Sequence, residues 1–190
     1  MTQGQNNPSS YRFERIGMVA RWRPVHLGHV PVLHALCDHA AHALIGIGSA
    51  NRYNFRNPFT LEETTEMLHL ALAGYTNYTL IPVPDLDDGP RWRAMITELF
   101  GPLDAFVTAN PYVASLLKAT YPTLKPITLV PEKERIAVNG TMVRAAMARG
   151  GDWTKLVPQE IADYITAQQL DERFRREFGL QTLAMDTVVR

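Results

Sequence analysis

The residues best placed to do chemistry in this chain stand together in Arg21-Trp22-Arg23-Pro24-Val25-His26-Leu27-Gly28-His29. Guanidinium groups grip phosphate oxygens through paired hydrogen bonds, and imidazole donates to them near neutral pH. An apolar run, 16–20, precedes the segment and another, 30–36, follows it, so it reads as the turn from a buried strand into a helix. Such a junction offers free backbone N–H groups and the positive end of a helix dipole, a ready phosphate site. His26 and His29, three positions apart, are expected on one face of the first helical turn, and Gly28 is expected to let a ligand approach the backbone. The chemistry implied is the holding of a nucleotide triphosphate. A zinc centre needs three or four ligands, and the single Cys37 falls in helix-like sequence. His34, His39, His42 and His69 read as ordinary core or surface histidines.

Other segments add to this site. In Asn139-Gly140-Thr141-Met142-Val143-Arg144, Asn139 reads as a helix cap, Gly140 as a point of close approach, and Thr141 and Arg144 as phosphate-facing groups. A second loop runs Ser49-Ala50-Asn51 and carries Arg52 and Arg56 before Asn57-Pro58-Phe59. A third, 84–92, mixes Asp85, Asp87 and Asp88 with Trp92; its carboxylates suit a sugar, an amide or Mg²⁺, and its indole suits stacking or core packing. No Walker-type glycine loop and no Gly-x-Ser-x-Gly elbow is present, and Cys37 lacks a pairing that would make it a nucleophile. Direct attack of a substrate phosphate on bound ATP is then the economical mechanism.

These loops need a frame. Apolar runs at 16–20, 44–48, 78–83, 105–108 and 127–130 read as strands. Helices are expected at 30–43, after the Thr60/Glu63 capping box, at 91–100, after Asn110-Pro111, and over most of 141–178, punctuated by Gly150-Gly151 and Pro158. In the helix after Thr60, Leu61, Met67, Leu68 and Leu72 give the apolar face. The alternation predicts an α/β fold, a parallel sheet flanked by helices with a small C-terminal helical segment. Ligands then bind beyond the carboxyl ends of the strands, at loops 21–29, 49–59, 84–92, 108–112 and 131–144. The expected organisation is a flexible start over 1–12, one domain over 13–178, and a loosely held tail over 179–190.

Composition narrows the class. At 190 residues, 46% of them hydrophobic, the chain can bury one core. Zero formal net charge gives no support to a nucleic-acid or membrane-surface partner. One cysteine, a polar start without a secretory signal and the lack of a membrane-length apolar run point to the cytoplasm.

Taken in order, the segments Arg21–His29, Gly46-Ile47-Gly48-Ser49-Ala50, Asn57-Pro58-Phe59-Thr60, Pro84-Asp85 with Trp92, Asn110-Pro111, Gly140-Thr141 with Arg144, and Leu156-Val157-Pro158 resemble a known family. It is the nucleotidyltransferases with a His-x-Gly-His motif, and within them the archaeal-type nicotinamide mononucleotide adenylyltransferases. The resemblance runs from about Ile16 to Tyr164. It implies a Rossmann-like sheet, ATP and nicotinamide mononucleotide as substrates, Mg²⁺, and a homo-oligomer. It assigns His26 and His29 to the ATP phosphates, Arg21, Arg56 and Arg144 to charge on the leaving pyrophosphate, and Gly28, Asn139, Gly140 and Thr141 to the nucleotide. Trp92 would stack on the nicotinamide ring, with Asp85, Ser49, Asn51 and Asn110 orienting that substrate. The chain departs from the family pattern at Trp22-Arg23 (usually Phe/Met-Gln), Asn139 (Ser), Thr64 (Arg) and Gly89-Pro90 (Asn-Ala). A different phosphorylated acceptor, or a regulatory nucleotide-binding role, are the other readings these departures motivate.

Overall fold

A computed structural model of the chain describes residues 12–188, so the start at 1–11 lies outside the described residues. Five strands form one wholly parallel sheet: β1 (Phe13–Ala20), β2 (Ala40–Gly48), β3 (Tyr78–Val83), β4 (Ala105–Val107) and β5 (Thr123–Leu124), in the order β3-β2-β1-β4-β5. Among the described residues there are seven α-helices: α1 (Val30–His39), α2 (Leu61–Ala71), α3 (Gly89–Phe100), α4 (Pro111–Leu117), α5 (Gly140–Ala148), α6 (Gln159–Ala167) and α7 (Leu170–Val188). The fold is the expected Rossmann-like α/β arrangement. Chain order reverses between β1 and β4, and that switch point opens a crevice at the strands' carboxyl ends. The larger core, including Ile16, Ile45, Ile47, Phe59, Leu68 and Phe174, lies on one side; a smaller one, with Phe100 and Phe106, lies on the other.

Local signals explain several boundaries. Thr60 and Glu63 form the reciprocal capping box that opens α2, and Asn110 caps α4 ahead of Pro111. None of the described helices is long and apolar enough to cross a membrane.

Besides shifts of two or three residues at the starts of β1 and α3, three regions differ from expectation. α1 stops at His39, because parallel pairing of Phe13 with Ala40 draws 40–43 into β2 against the helix preference of alanine. Asn77 marks that end by donating its amide to the carbonyls of Cys37 and Ala40 (2.9 Å each). The fifth strand is 123–124 rather than 127–130: Pro126 opens a short 3₁₀ turn, and Arg135 donates to the carbonyls of Ile127 and Val130 in place of a neighbouring strand. Finally, 179–188 is no loose tail but the continuation of α7. Leu170, Phe174, Phe178 and Thr182 recur every fourth residue, and this stripe carries the helix through Gly179, with Phe174 and Thr182 buried.

Candidate active site

Nine residues of connection join β1 to α1, and they are folded tightly enough to bury half their side chains. Trp22 adopts a left-handed backbone (φ 57°), and Arg23–Pro24 is a cis peptide. The Trp22 indole is buried, donates to the Gly46 carbonyl (2.8 Å) and meets the His29 ring edge-on (4.7 Å). His26 and His29 lie in the turn ahead of α1, not in its first helical turn; His29 is its N-cap residue. They still face together, with rings stacked at 3.5 Å and 20°.

Two roles expected here change. The Leu27 amide donates to Leu156 O (3.0 Å) and the His29 amide to His26 O (2.8 Å), so these N–H groups are committed within the protein. A Cβ on Gly28 would lie 2.2 Å from the Val138 carbonyl oxygen and 3.0 Å from that of Ile136. The glycine thus admits the protein's own 136–138 backbone, where close approach by a ligand had been expected.

Side chains, rather than those amides, gather positive charge here. A cavity of 210 Å³ is lined by Arg21, Trp22, Arg23, His26, His29, Arg56, Gly140, Thr141 and Arg144. Among the described residues none of Arg21, Arg56 and Arg144 is ion-paired. Arg144 donates to the Arg23 carbonyl (3.0 Å), which aims its guanidinium from α5 across the cavity mouth. Burial, then Arg21 and Arg56, lower Arg144 to about 10, so it is charged at neutral pH and in mutual repulsion with its neighbours. Burial, then Arg144, push His26 down to about 4; burial, then His26, push His29 well below the ordinary imidazole range. Both imidazoles are therefore neutral at pH 7, and each has an Nδ1 with no partner. Concentrated positive charge with unused polar atoms favours a polyphosphate, which would relieve both. Asn139 stands behind this wall as the α5 cap, accepting from the Met142 amide (3.0 Å).

A second cleft, of 490 Å³, adjoins the first through Arg21, and Ser49, Asp85, Trp92, Asn110 and Tyr112 are among its lining residues. Here several polar groups are engaged within the protein. Asn51 accepts from the Asp85 amide (2.8 Å) and donates to the Asp85 carbonyl (3.0 Å), clipping the two loops together from outside the cleft lining. Arg52 pairs with Asp87 and lies 3.7 Å from Asp85. Asp88 caps α3, and Asn110 caps α4. Trp92 does both things its type allows: it lines the cleft and packs on the smaller core. A Cβ on Gly89 would sit 2.3 Å from the Tyr112 hydroxyl, so the missing side chain at 89 makes way for Tyr112. Among the described residues no three His, Cys, Asp or Glu side chains come together to hold a metal ion.

In the sequence Arg23 reads only as added positive charge beside the histidines; the structure gives it a buried, structural role. Its guanidinium is 2% exposed and donates to Thr64 Oγ1 (3.1 Å), Ser49 O (3.0 Å) and Arg52 O (3.2 Å). Two departures from the family pattern, Arg23 and Thr64, thus meet in one hydrogen bond.

No family model matches the chain. Curated relatives do. The chain is 33% identical over 153 residues to a nicotinamide-nucleotide adenylyltransferase of Methanococcus vannielii, covering 80% of this chain and 87% of that one. It is 32% identical over 163 residues to the enzyme of the same description from Pyrococcus furiosus, covering 83% and 85%. Among solved structures it superimposes on a bifunctional NMN adenylyltransferase/ADP ribose pyrophosphatase of Francisella tularensis. The TM-score is 0.65 at 17% identity, over 86% of this chain and about half (52%) of that one, a likeness of fold.

Proposed function

The chain belongs to the nicotinamide-nucleotide adenylyltransferases, and from that premise we propose how its own residues join nicotinamide mononucleotide to ATP, giving NAD and pyrophosphate. The observation that carries the reading is Arg21, which lines both the His/Arg cavity and the Trp92 cleft. A nucleotide phosphate held in one and an acceptor phosphate held in the other meet beside the same guanidinium.

The acceptor phosphate oxygen attacks the α-phosphorus of ATP, the new P–O bond forms in line, and the bond to the bridging oxygen breaks with its electrons leaving on pyrophosphate. The protein needs no nucleophile for this displacement. It acts by holding the two phosphates at reacting distance and by stabilising charge as it builds. His26 and His29, neutral before ligand binds, donate to phosphate oxygens; Arg21, Arg56 and Arg144 take up the charge on the departing pyrophosphate. Thr141 adds a hydroxyl at the α5 N-terminus. Trp92 stacks on the nicotinamide ring, with Ser49, Asp85 and Asn110 fixing its orientation.

A divalent cation, Mg²⁺ in this proposal, does not fit a protein cage, because Asp85 and Asp87 are turned to Arg52. It would arrive on the phosphates of ATP and screen their charge. A homo-oligomer in the cytoplasm completes the reading. Light scattering of the purified protein measures its assembly state.

The test is purified protein with ATP, Mg²⁺ and nicotinamide mononucleotide, following NAD and pyrophosphate together. Equal amounts of both are expected. Pyrophosphate without NAD, in the presence of another phosphorylated acceptor, would reassign the cleft; ATP binding without either product would leave a nucleotide-binding regulator.

A further inference from the structure

Beyond Tyr164 the resemblance gives no assignment, yet α7 reaches the site. We propose, resting on the adenylyl-transfer reading, that the C-terminal helix is a working wall of the triphosphate site, fixing the loop that carries Arg56 and lining the cleft that receives pyrophosphate.

The first observation is a cleft of 330 Å³ lined on one side by Arg21, Arg56 and Arg144 and on the other by Phe55 with Thr182 and Met185 of α7. It shares its arginines and Thr141 with the cavity that holds His26 and His29, so the two are continuous. Its lining contains no carboxylate, and the three guanidiniums are not ion-paired among the described residues. Thr182 is 8% exposed, and its hydroxyl has no hydrogen-bond partner. A buried hydroxyl left unpaired is costly, and a ligand with many acceptor oxygens relieves that cost. Inorganic pyrophosphate and the β- and γ-phosphates of ATP share this chemistry.

The second observation is independent of the cleft. The loop before α2 is latched to α7 at several points. Tyr53 donates its hydroxyl to Glu177 (2.5 Å), and its ring meets Phe178 edge-on at 5.2 Å. Arg173 donates to the Pro58 carbonyl (3.2 Å) and to both Glu63 oxygens (2.5 and 2.7 Å). Burial and the Glu177 hydrogen bond raise Tyr53 to about 12, which keeps it a donor at neutral pH. Arg56 lies between these latches, three residues after Tyr53 and two before Pro58. Holding both ends fixes where its guanidinium can reach, and effects of this kind pass from positioning to catalysis.

Thr182→Val and Tyr53→Ala test this, assayed in the reverse direction with NAD and pyrophosphate, with pyrophosphate binding to the free protein followed by calorimetry. Each variant should raise the KM and Kd for pyrophosphate about threefold to tenfold, the loss of one hydroxyl donor or of one latch on the Arg56 loop, with the KM for NAD unchanged. Thr182→Val should melt at or above the wild-type temperature, since it removes an unpaired buried hydroxyl; a merely structural threonine would not weaken pyrophosphate while preserving the melt. If Tyr53→Ala fails to fold, Glu177→Ala, which removes the acceptor of the Tyr53 hydroxyl, replaces it. Unchanged pyrophosphate constants in both variants, or an equal rise in the KM for NAD, would overturn the proposal. The calorimetry needs no turnover, so a chain that makes no NAD but whose variants bind pyrophosphate more weakly keeps this wall and loses the adenylyl-transfer reading. Normal turnover with unaltered pyrophosphate binding does the reverse.

Discussion

The two halves of the crevice are built on opposite principles. On the His/Arg side, Arg21, Arg56 and Arg144 have no carboxylate partners among the described residues, His26 and His29 are kept neutral by burial, and polar atoms are left unused. On the Trp92 side, Asn51 is spent on Asp85, Arg52 on Asp87, and Asp88 and Asn110 on helix caps. The first half concentrates uncompensated positive charge; the second is a shape with more of its polar groups engaged and an aromatic wall. Residues on the His/Arg side should therefore control the chemical step, and residues on the Trp92 side should control how well one acceptor fits.

The largest effect expected is that of His29→Ala. Removing a preorganised donor to charge that develops in the transition state should lower kcat by about 10²–10³-fold, with circular dichroism unchanged. If Trp92→Ala lowered kcat as much, the contrast between the halves would collapse.

Acid stability sharpens the same contrast. The unfolded chain protonates His26 near 6.5, whereas the folded chain does so only near 4. Between those values the unfolded state binds more protons, so stability is full above the window and falls as pH drops through it. The shift amounts to about 3 kcal/mol for His26. Urea unfolding from pH 7 to 4 should show this slope, flattened in His26→Asn and reduced by saturating pyrophosphate, while Trp92→Ala should keep it. Trp92→Ala itself should raise the acceptor KM about tenfold, the worth of a stacked ring, and leave kcat near wild type.

How far all this is legible in sequence follows the range of the interactions. Thr60/Glu63, Asn110-Pro111 and Asn139 announce helix starts because a cap is a contact over three residues, and the apolar runs announce buried strands. The cluster at 21–29 announces an anion site because its residue types have few other uses together. What failed to show depends on partners distant in the chain. Gly28 is small on account of Val138, Arg23 is buried on account of Thr64 and Ser49, and 127–130 are kept from the sheet by Arg135. The α7 stripe at 170, 174, 178 and 182 was present in the sequence, but Gly179 reads locally as a stop. Packing of that stripe, with α5 as the main neighbour of α7, carries the helix past it.

The smallest effect separates two roles for one residue. The resemblance gives Asn51 to the substrate, whereas its amide is already committed on both sides to the Asp85 backbone. A residue acting through Asp85 should alter the placement of one cleft wall without touching the reacting phosphates. Asn51→Ala removes both hydrogen bonds at an exposed site where water replaces them, so the acceptor KM should rise about threefold to fivefold with kcat unchanged. Asn51→Asp keeps an acceptor for the Asp85 amide and loses the donor to its carbonyl, and should fall between wild type and Asn51→Ala. A residue that instead donates to the acceptor would give the steeper loss with Asn51→Asp, because the new carboxylate would face an anionic substrate. The order of the two variants, more than the size of either, decides whether this half of the crevice works by its shape or by contact.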